Sequence, residues 1–242
     1  MSDWTGRIGL SVEAPGNLLF ELREETELDF AIAHRVIEDP IYARYFRERP
    51  KGREMILDNS LHELGASISL DMLARAAALT SPDYIISPDK MEDCFWTINS
   101  FRELQKLKLP YKIAVSLVGR TPEERAAYLA QVREADMLCL PYDRPRYLWY
   151  IEQFPFWRRV HLLGVSELSE LRAWLPFKDV LKLSVDTGKA TKYGLLGKHL
   201  RELRSLRKAS LKSLQLLEVP SWTPDQLRLV IENTRYLRTF LA

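Results

Sequence analysis

Three short apolar runs in this chain end in an aspartate: "EMILDN" (54–59) at Asp58, "DYIISPD" (83–89) at Asp89 and "VLKLSVD" (180–186) at Asp186. Asn59 follows the first directly. Carboxylates that converge on one cleft can divide labour, one attacking a carbon centre while another carries a proton, as in retaining chemistry at a glycosidic bond. An aspartate just after a strand is also an ordinary turn or capping residue, and for any single one of the three that is the commoner role. Three at equivalent positions carry more weight. The histidines add little. His62 and His161 lie beside strand ends, where a lone imidazole is most often a hydrogen-bonded structural group, and His34 and His199 fall in helical patterns. Cys94 and Cys139 form no C-x-x-C pair and are too few for a disulfide framework or a four-ligand zinc site, so both are expected to be reduced thiols.

The elements that must position these aspartates alternate along the chain. Besides the three runs above, "RIGLSV" (7–12), "YKIAVSLV" (111–118), "DMLCLPY" (136–142) and "RVHLLGV" (159–165) read as strands, with "SLQLLEV" (213–219) as the weakest candidate for an eighth. Between them lie helical patterns: "ELDFAIAHRVIEDPIYARYF", "SLDMLARAAALT" with Ser69 as N-cap, "TPEERAAYLAQVREA" with Thr121 as cap and Pro122 in the first turn, and "SELSELRAWL". A last helix is expected in "TPDQLRLVIENTRYLRTFLA". Strand then helix, repeated, means a parallel sheet, and seven or eight such units in 242 residues fit a (β/α)8 TIM barrel of one domain, residues 1–242. No G-x-G-x-x-G follows the first strand and no G-x-x-x-x-G-K-[ST] occurs, which weighs against a nucleotide cofactor. Active sites of such barrels sit at the C-terminal ends of the strands, where all three aspartates fall.

Composition narrows the partners. The chain is 46% hydrophobic, ample for a packed core, and no stretch is long and apolar enough to span a membrane, nor does "MSDWTGRIGL" carry a signal pattern. A soluble, intracellular protein is expected. The formal net charge of +2 hides an asymmetry: residues 182–212 hold nine Lys or Arg against Asp186 and Glu202. Such a stripe is an electrostatic footprint for a polyanion, with Lys189, Lys192 and Arg201 as the phosphate-binding candidates; equally, "LLGKHLRELRSLRKASLKSL" reads as one solvated amphipathic helix. The segment 142–159 mixes aromatics with arginines, which suits stacking on an unpaired strand or packing into the outer layer of the barrel.

Four segments in order, "MILDNSLHELG", "PDYIISPDK", "HLLGVSELSEL" and "SVDTGKATKYG", resemble the tRNA-guanine transglycosylase superfamily, with most in common with short virus-type members that insert 7-deazaguanines into DNA. The resemblance runs from about residue 7 to the C-terminus and is specific only in ordered combination. It implies that Asp186 is the nucleophile, Asp58 the proton-transfer partner, Asn59 a contact to the heterocycle, Asp89 the acid that holds the guanine edge, and Gly164 the glycine that lets backbone approach the base. Two departures accompany it. The tRNA enzymes carry three Cys and a His as a zinc site near the C-terminus, whereas this chain has no Cys after Cys139, and Val118 stands where the family has a base-contacting Gln. The resemblance therefore implies exchange of guanine in DNA for a base such as 7-cyano-7-deazaguanine, without metal or cofactor. It also implies a monomer in the cytoplasm of a virus-infected cell, with an accessory protein as a further partner. A tRNA-directed enzyme of the same chemistry, a hydrolytic N-glycosidase and a non-catalytic nucleic-acid-binding barrel are the alternatives.

Overall fold

Eight short parallel strands form a nearly closed barrel in the computed structural model, which describes residues 6–141, 148–151, 157–165, 167–202 and 221–242. They are β1 (Gly9–Val12), β2 (Asp29–Ile32), β3 (Met55–Asp58), β4 (Tyr84–Ile86), β5 (Lys112–Ser116), β6 (Met137–Pro141), β7 (Arg159–Leu163) and β8 (Lys182–Thr187). From β2 to β8 each strand pairs with the next in sequence, and β1 pairs with β8, in register Ser11 with Asp186. The remaining seam, between β1 and β2, is bridged by Glu27 N–H and Leu28 N–H donating to Leu10 O at 3.0 and 3.5 Å. The fold expected from the alternation is therefore the fold observed, a (β/α)8 barrel in a single domain.

One strand is displaced from the expectation. The segment "ELDFAIAHRVIEDPIYARYF" is not one helix: Asp29–Ile32 is β2, and helices Ala33–Glu38 and Pro40–Arg47 follow, the second capped by Asp39. All four β2 residues are buried, so the polar alternation that marks a half-exposed strand is missing, and the short run merges with the helical pattern after it. The barrel reaches eight strands without "SLQLLEV", which lies outside the described residues. The expected caps are present elsewhere. Ser69 accepts from Met72 N at 3.3 Å to start Leu70–Thr80, and Thr121 accepts from Glu124 N at 3.2 Å to start Pro122–Gln131. Thr223 and Gln226 form a capping box on Pro224–Leu241. Helix Cys94–Lys106, absent from the sequence reading, is capped by Asp93. No described helix is long and apolar enough to cross a membrane.

Two apolar layers follow from strand alternation. Leu57, Ile85, Val115, Leu138 and Val160 face the helices, whereas Phe30, Ile56, Ile86, Ala114, Met137 and Cys139 fill the barrel. Below the second set lies an ionic floor. Arg159, opening β7, reaches across the interior to Glu54 Oε1 through Nε at 3.1 Å and Nη2 at 2.5 Å, and Lys182, opening β8, meets Glu54 Oε2 at 2.5 Å. Beside it Arg53 pairs with Asp29 at 2.8 Å. Helix Lys189–Leu195 leaves β8 at once and packs against Pro224–Leu241 so closely that a Cβ on Gly194 would stand 2.6 Å from Val230 N.

Candidate active site

The inward column of each strand ends at the mouth of the barrel. On β8 that column reads Lys182, Ser184, Asp186; on β1 it reads Gly9, Ser11 and then, one residue past the strand, Glu13; on β3 it reads Ile56, Asp58. Asp186 and Asp58 are thus brought to one opening together with Glu13, which sequence reasoning missed. Glu13 is fixed by its backbone, N–H donating to Thr187 O at 3.0 Å and carbonyl accepting from Thr191 Oγ1 at 2.7 Å.

Asp186 is buried and heavily oriented. Its Oδ1 accepts from Gly164 N–H at 3.0 Å and lies 3.0 Å from His161 Nε2, while His161 Nδ1 lies 2.7 Å from Ser184 Oγ. Burial, with the charge of Arg159 below, holds His161 well under the usual imidazole range, so the ring is neutral. A neutral ring facing a carboxylate must carry its proton on Nε2, which leaves Nδ1 to accept from the Ser184 hydroxyl. Phe30 stacks on the ring at 5.0 Å and 11°. The imidazole is hydrogen-bonded, as its position beside a strand end suggested, yet its partner is Asp186 itself. Gly164 has φ +60 with open space where a Cβ would be, so glycine is needed there for the left-handed turn that aims its N–H at Asp186.

The mouth carboxyls are pushed towards their neutral forms. Burial, then the Asp186 charge, raises Glu13 to about 8; burial raises Asp186 to about 6 against the bonds it receives from Gly164 and Glu13. Burial and Glu63 raise Asp58 well above the carboxylate range, although its Oδ2 accepts from Ser60 N–H at 2.7 Å. Glu63, on the short turn Leu61–Leu64, is raised to about 7 by burial and by Glu13, and its Oε2 is buried without a hydrogen-bond partner. Titratable groups displaced in this way mark functional sites more often than structural ones.

Asn59 is buried and hydrogen-bonded on both ends of its amide. Its amide nitrogen donates to Ser87 O at 2.8 Å and Asp89 Oδ1 at 2.5 Å, and its oxygen accepts from Leu61 N–H at 3.0 Å. The side chain is therefore a strut between the ends of β3 and β4 that holds Asp89, itself tied through its backbone to Ser67 Oγ.

The basic stripe divides. Lys182 belongs to the floor; Lys189 and Lys192 are half-buried near Glu13, with burial and the Lys192 charge lowering Lys189. The chain then turns at Gly197 (φ +70), so no continuous helix runs through 195–202, and Arg201 is exposed on a one-turn segment beyond. Residues 203–220, with the remaining basic positions, lie outside the described residues. Of the aromatic segment, Tyr150 packs on Trp174 at 6.0 Å and Trp157 Nε1 donates to Ala135 O at 2.9 Å; both are buried in the outer layer, and 142–147 and 152–156 lie outside the described residues. Among the described residues no group of three or more His, Cys, Asp or Glu is arranged to hold a metal ion.

The class defined by this geometry is a (β/α)8 barrel with a buried, proton-rich carboxyl cluster at its C-terminal mouth. No family model and no curated protein matches the chain. Among solved structures it is similar to the YdjI aldolase from Escherichia coli K12, with a TM-score of 0.58 and 8% identity over 98% of this chain and 92% of that one. It is also similar to a putative fructose-1,6-bisphosphate aldolase from Coccidioides immitis, with a TM-score of 0.56 and 15% identity over 98% and 90%. At such identities the likeness is one of fold.

Proposed function

We propose that this barrel is an enzyme, a DNA-guanine transglycosylase that exchanges guanine for a 7-deazaguanine through Asp186. The observation that carries the reading is the set of carboxyls at the mouth: Asp186 aimed by Gly164 and His161, and at the same opening Asp58, which burial and Glu63 push towards its neutral form. In the first step the Asp186 carboxylate bonds to C1′ of the nucleotide as the C1′–N9 bond breaks, and the Asp58 proton passes to the departing guanine. In the second, the N9 proton of the incoming base goes to the Asp58 carboxylate, N9 bonds to C1′, and the ester bond to Asp186 breaks. The configuration is retained by the double displacement. Asp89, held by Asn59, accepts the N1–H and 2-amino group of a guanine-type edge, an arrangement that leaves the carboxylate unpaired if adenine enters. Gly164 gives the base room beside the strand end, and Lys189, Lys192 and Arg201 meet the phosphates of an extruded nucleotide.

The test is incorporation of labelled 7-cyano-7-deazaguanine into duplex DNA, single-stranded DNA and tRNA, with wild type and Asp186→Asn in parallel. Label should enter DNA with wild type alone, the variant being slower by on the order of 10⁴-fold. Label confined to tRNA would transfer the reading to the tRNA-directed enzyme. Guanine released without incorporation would make the protein a hydrolase. Salt-dependent DNA binding that is identical in the two proteins, with no chemistry in either, would leave a binding barrel.

A further inference from the structure

Neither His161 nor Ser184 is among the positions that the transglycosylase resemblance supplies, and both are fully buried in the barrel interior beneath the mouth. We propose that the two act in series on Asp186: Ser184 holds the imidazole, the imidazole and Gly164 N–H together hold Oδ1, and the bond to C1′ is made by Oδ2. The choice of Oδ2 rests on the base-exchange reading; the chain from Ser184 through His161 to Asp186 does not.

Strand register builds this chain. His161 and Ser184 are partners across β7 and β8, so their side chains project together into the barrel, and Asp186 is the next inward residue of β8. The contacts follow from that placement: His161 Nδ1 lies 2.7 Å from Ser184 Oγ, and His161 Nε2 lies 3.0 Å from Asp186 Oδ1. Phe30, arriving from β2, lies nearly parallel to the imidazole, with ring centres 5.0 Å apart and 11° between the planes, and so sets the plane in which the ring must stay. The Asp186 backbone is held as well, its carbonyl accepting from Val165 N–H at 3.1 Å. A single buried hydroxyl would satisfy an imidazole that only filled the core. This one turns its second nitrogen to the carboxyl that ends the column at the mouth.

The consequence concerns single atoms. A carboxylate can only accept, so Nε2 carries the proton and Nδ1 takes the Ser184 hydroxyl hydrogen. Gly164 N–H reaches the same oxygen at 3.0 Å, so two N–H donors converge on Oδ1. Donation steadies negative charge on the oxygen that receives it and makes that oxygen the weaker nucleophile. Oδ2 therefore attacks: its electron pair forms the bond to C1′ while the pair of the C1′–N9 bond leaves with guanine, and Oδ1 becomes the carbonyl oxygen of the ester. When the ester breaks, charge returns to a carboxylate that already faces two fixed N–H groups, as in a preorganised anion site. His161 is thus a positioning residue, and Ser184 positions it in turn.

Two measurements on the full chain test this. The first needs no substrate: nitrogen-15 NMR of the imidazoles, with the His161 signals identified by their loss in His161→Gln. Nε2 should carry the proton, the Nδ1 signal should move in Ser184→Ala, and the Nε2–H signal should move in Asp186→Asn. A proton on Nδ1, or signals that ignore either substitution, overturns the chain. The second reads the ester, which accumulates when DNA is supplied without an incoming base. Its carbonyl stretch is isolated by infrared difference against protein carrying carbon-13 in the aspartate side chains. Hydrogen bonds to Oδ1 lower that stretch, so it should rise in His161→Phe, which keeps a ring against Phe30 but has no N–H, and by a smaller step in Ser184→Ala. His161→Phe should also lose about 10²-fold in kcat with KM little changed, and His161→Gln, which returns an N–H, should recover part of the loss. A stretch unchanged in both variants, or a loss carried by KM alone, overturns the assignment of Oδ2. Ring signals as expected in a protein that forms no ester and labels no nucleic acid uphold the chain and overturn base exchange, and Oδ2 with it.

Discussion

Glu54 and Glu13 stand at opposite ends of the same barrel interior, and their carboxyls keep opposite company. Burial alone would raise Glu54, but Arg159 and Lys182 hold it below the ordinary carboxylate range. At Glu13 burial and the charge of another acid, Asp186, raise the carboxyl, and Lys192 does not offset them. The floor spends its cations on its carboxylate and becomes chemically silent, a strut that ties β3 to β7 and β8. The mouth gathers Glu13, Asp58, Glu63 and Asp186, all raised by burial. A carboxylate matched to a cation fastens the fold, while a carboxylate buried among its own kind is destabilising and reactive.

Substitutions at the two ends should therefore fail differently. Glu54→Ala removes the carboxylate from the buried Arg159 guanidinium and should cost about 3–5 kcal/mol in urea denaturation, with base exchange per folded molecule intact. A stable variant would mean that the floor is not the fastening. Asp58→Asn keeps an oxygen for Ser60 N–H but has no proton to give, and should slow base exchange by roughly 10²- to 10³-fold in single-turnover assays while the protein remains folded. Equal loss of rate and of stability would erase the distinction between the ends.

Stability against pH separates them more finely. Glu13, Glu63 and Asp186 have folded values near 8, 7 and 6 against ordinary values of 4.5, 4.5 and 3.8, so folding takes up protons. Their contribution is complete below the ordinary values and is lost as pH rises through 6 to 8. Glu54 is shifted the other way, and its contribution, present above 4.5, is lost as pH falls. Glu13→Gln should flatten the alkaline decline, by roughly 3 kcal/mol between about pH 5 and about pH 8, and leave the acid side alone. Denaturation midpoints at the two pH values read this directly, and an unchanged alkaline slope would contradict the raised Glu13. The smallest effect belongs to neither end: Arg201→Ala, at an exposed position, should reduce the salt dependence of DNA binding by about one counterion with the rate at saturating DNA unchanged.

Much of this was readable in the chain because parallel barrels repeat one signal. Seven apolar runs coincide with β1 and β3 to β8, and the aspartates ending two of them, Asp58 and Asp186, lie at the same end of the barrel. The eighth strand was hidden in plain sequence. "DFAI" is buried on every residue and is followed without a Gly or Pro break by a helix, so periodicity had nothing to separate. Glu13 carries no such mark, because it lies one residue past a strand that ends in Val12 rather than in Asp. Following the inward parity of "GLSVE" from Ser11 finds it two residues on, and the same parity through "RVHLL" and "KLSVD" finds His161 and Ser184. Side-chain direction was not readable at all. Asn59 spans the gap between two strand ends and donates to Asp89, a contact that its residue type alone does not reveal.

The bond from Thr191 to the Glu13 carbonyl joins residues 178 positions apart, near the two extremes of the barrel. A chain emerging from the ribosome makes Glu13 early and Asp186 late, and the acids cannot meet until β1 and β8 are zipped. Closing so large a loop is slow relative to local pairing. The carboxyl cluster is thereby completed only when β1 and β8 pair, and the amides of the two strands should gain protection from solvent exchange together.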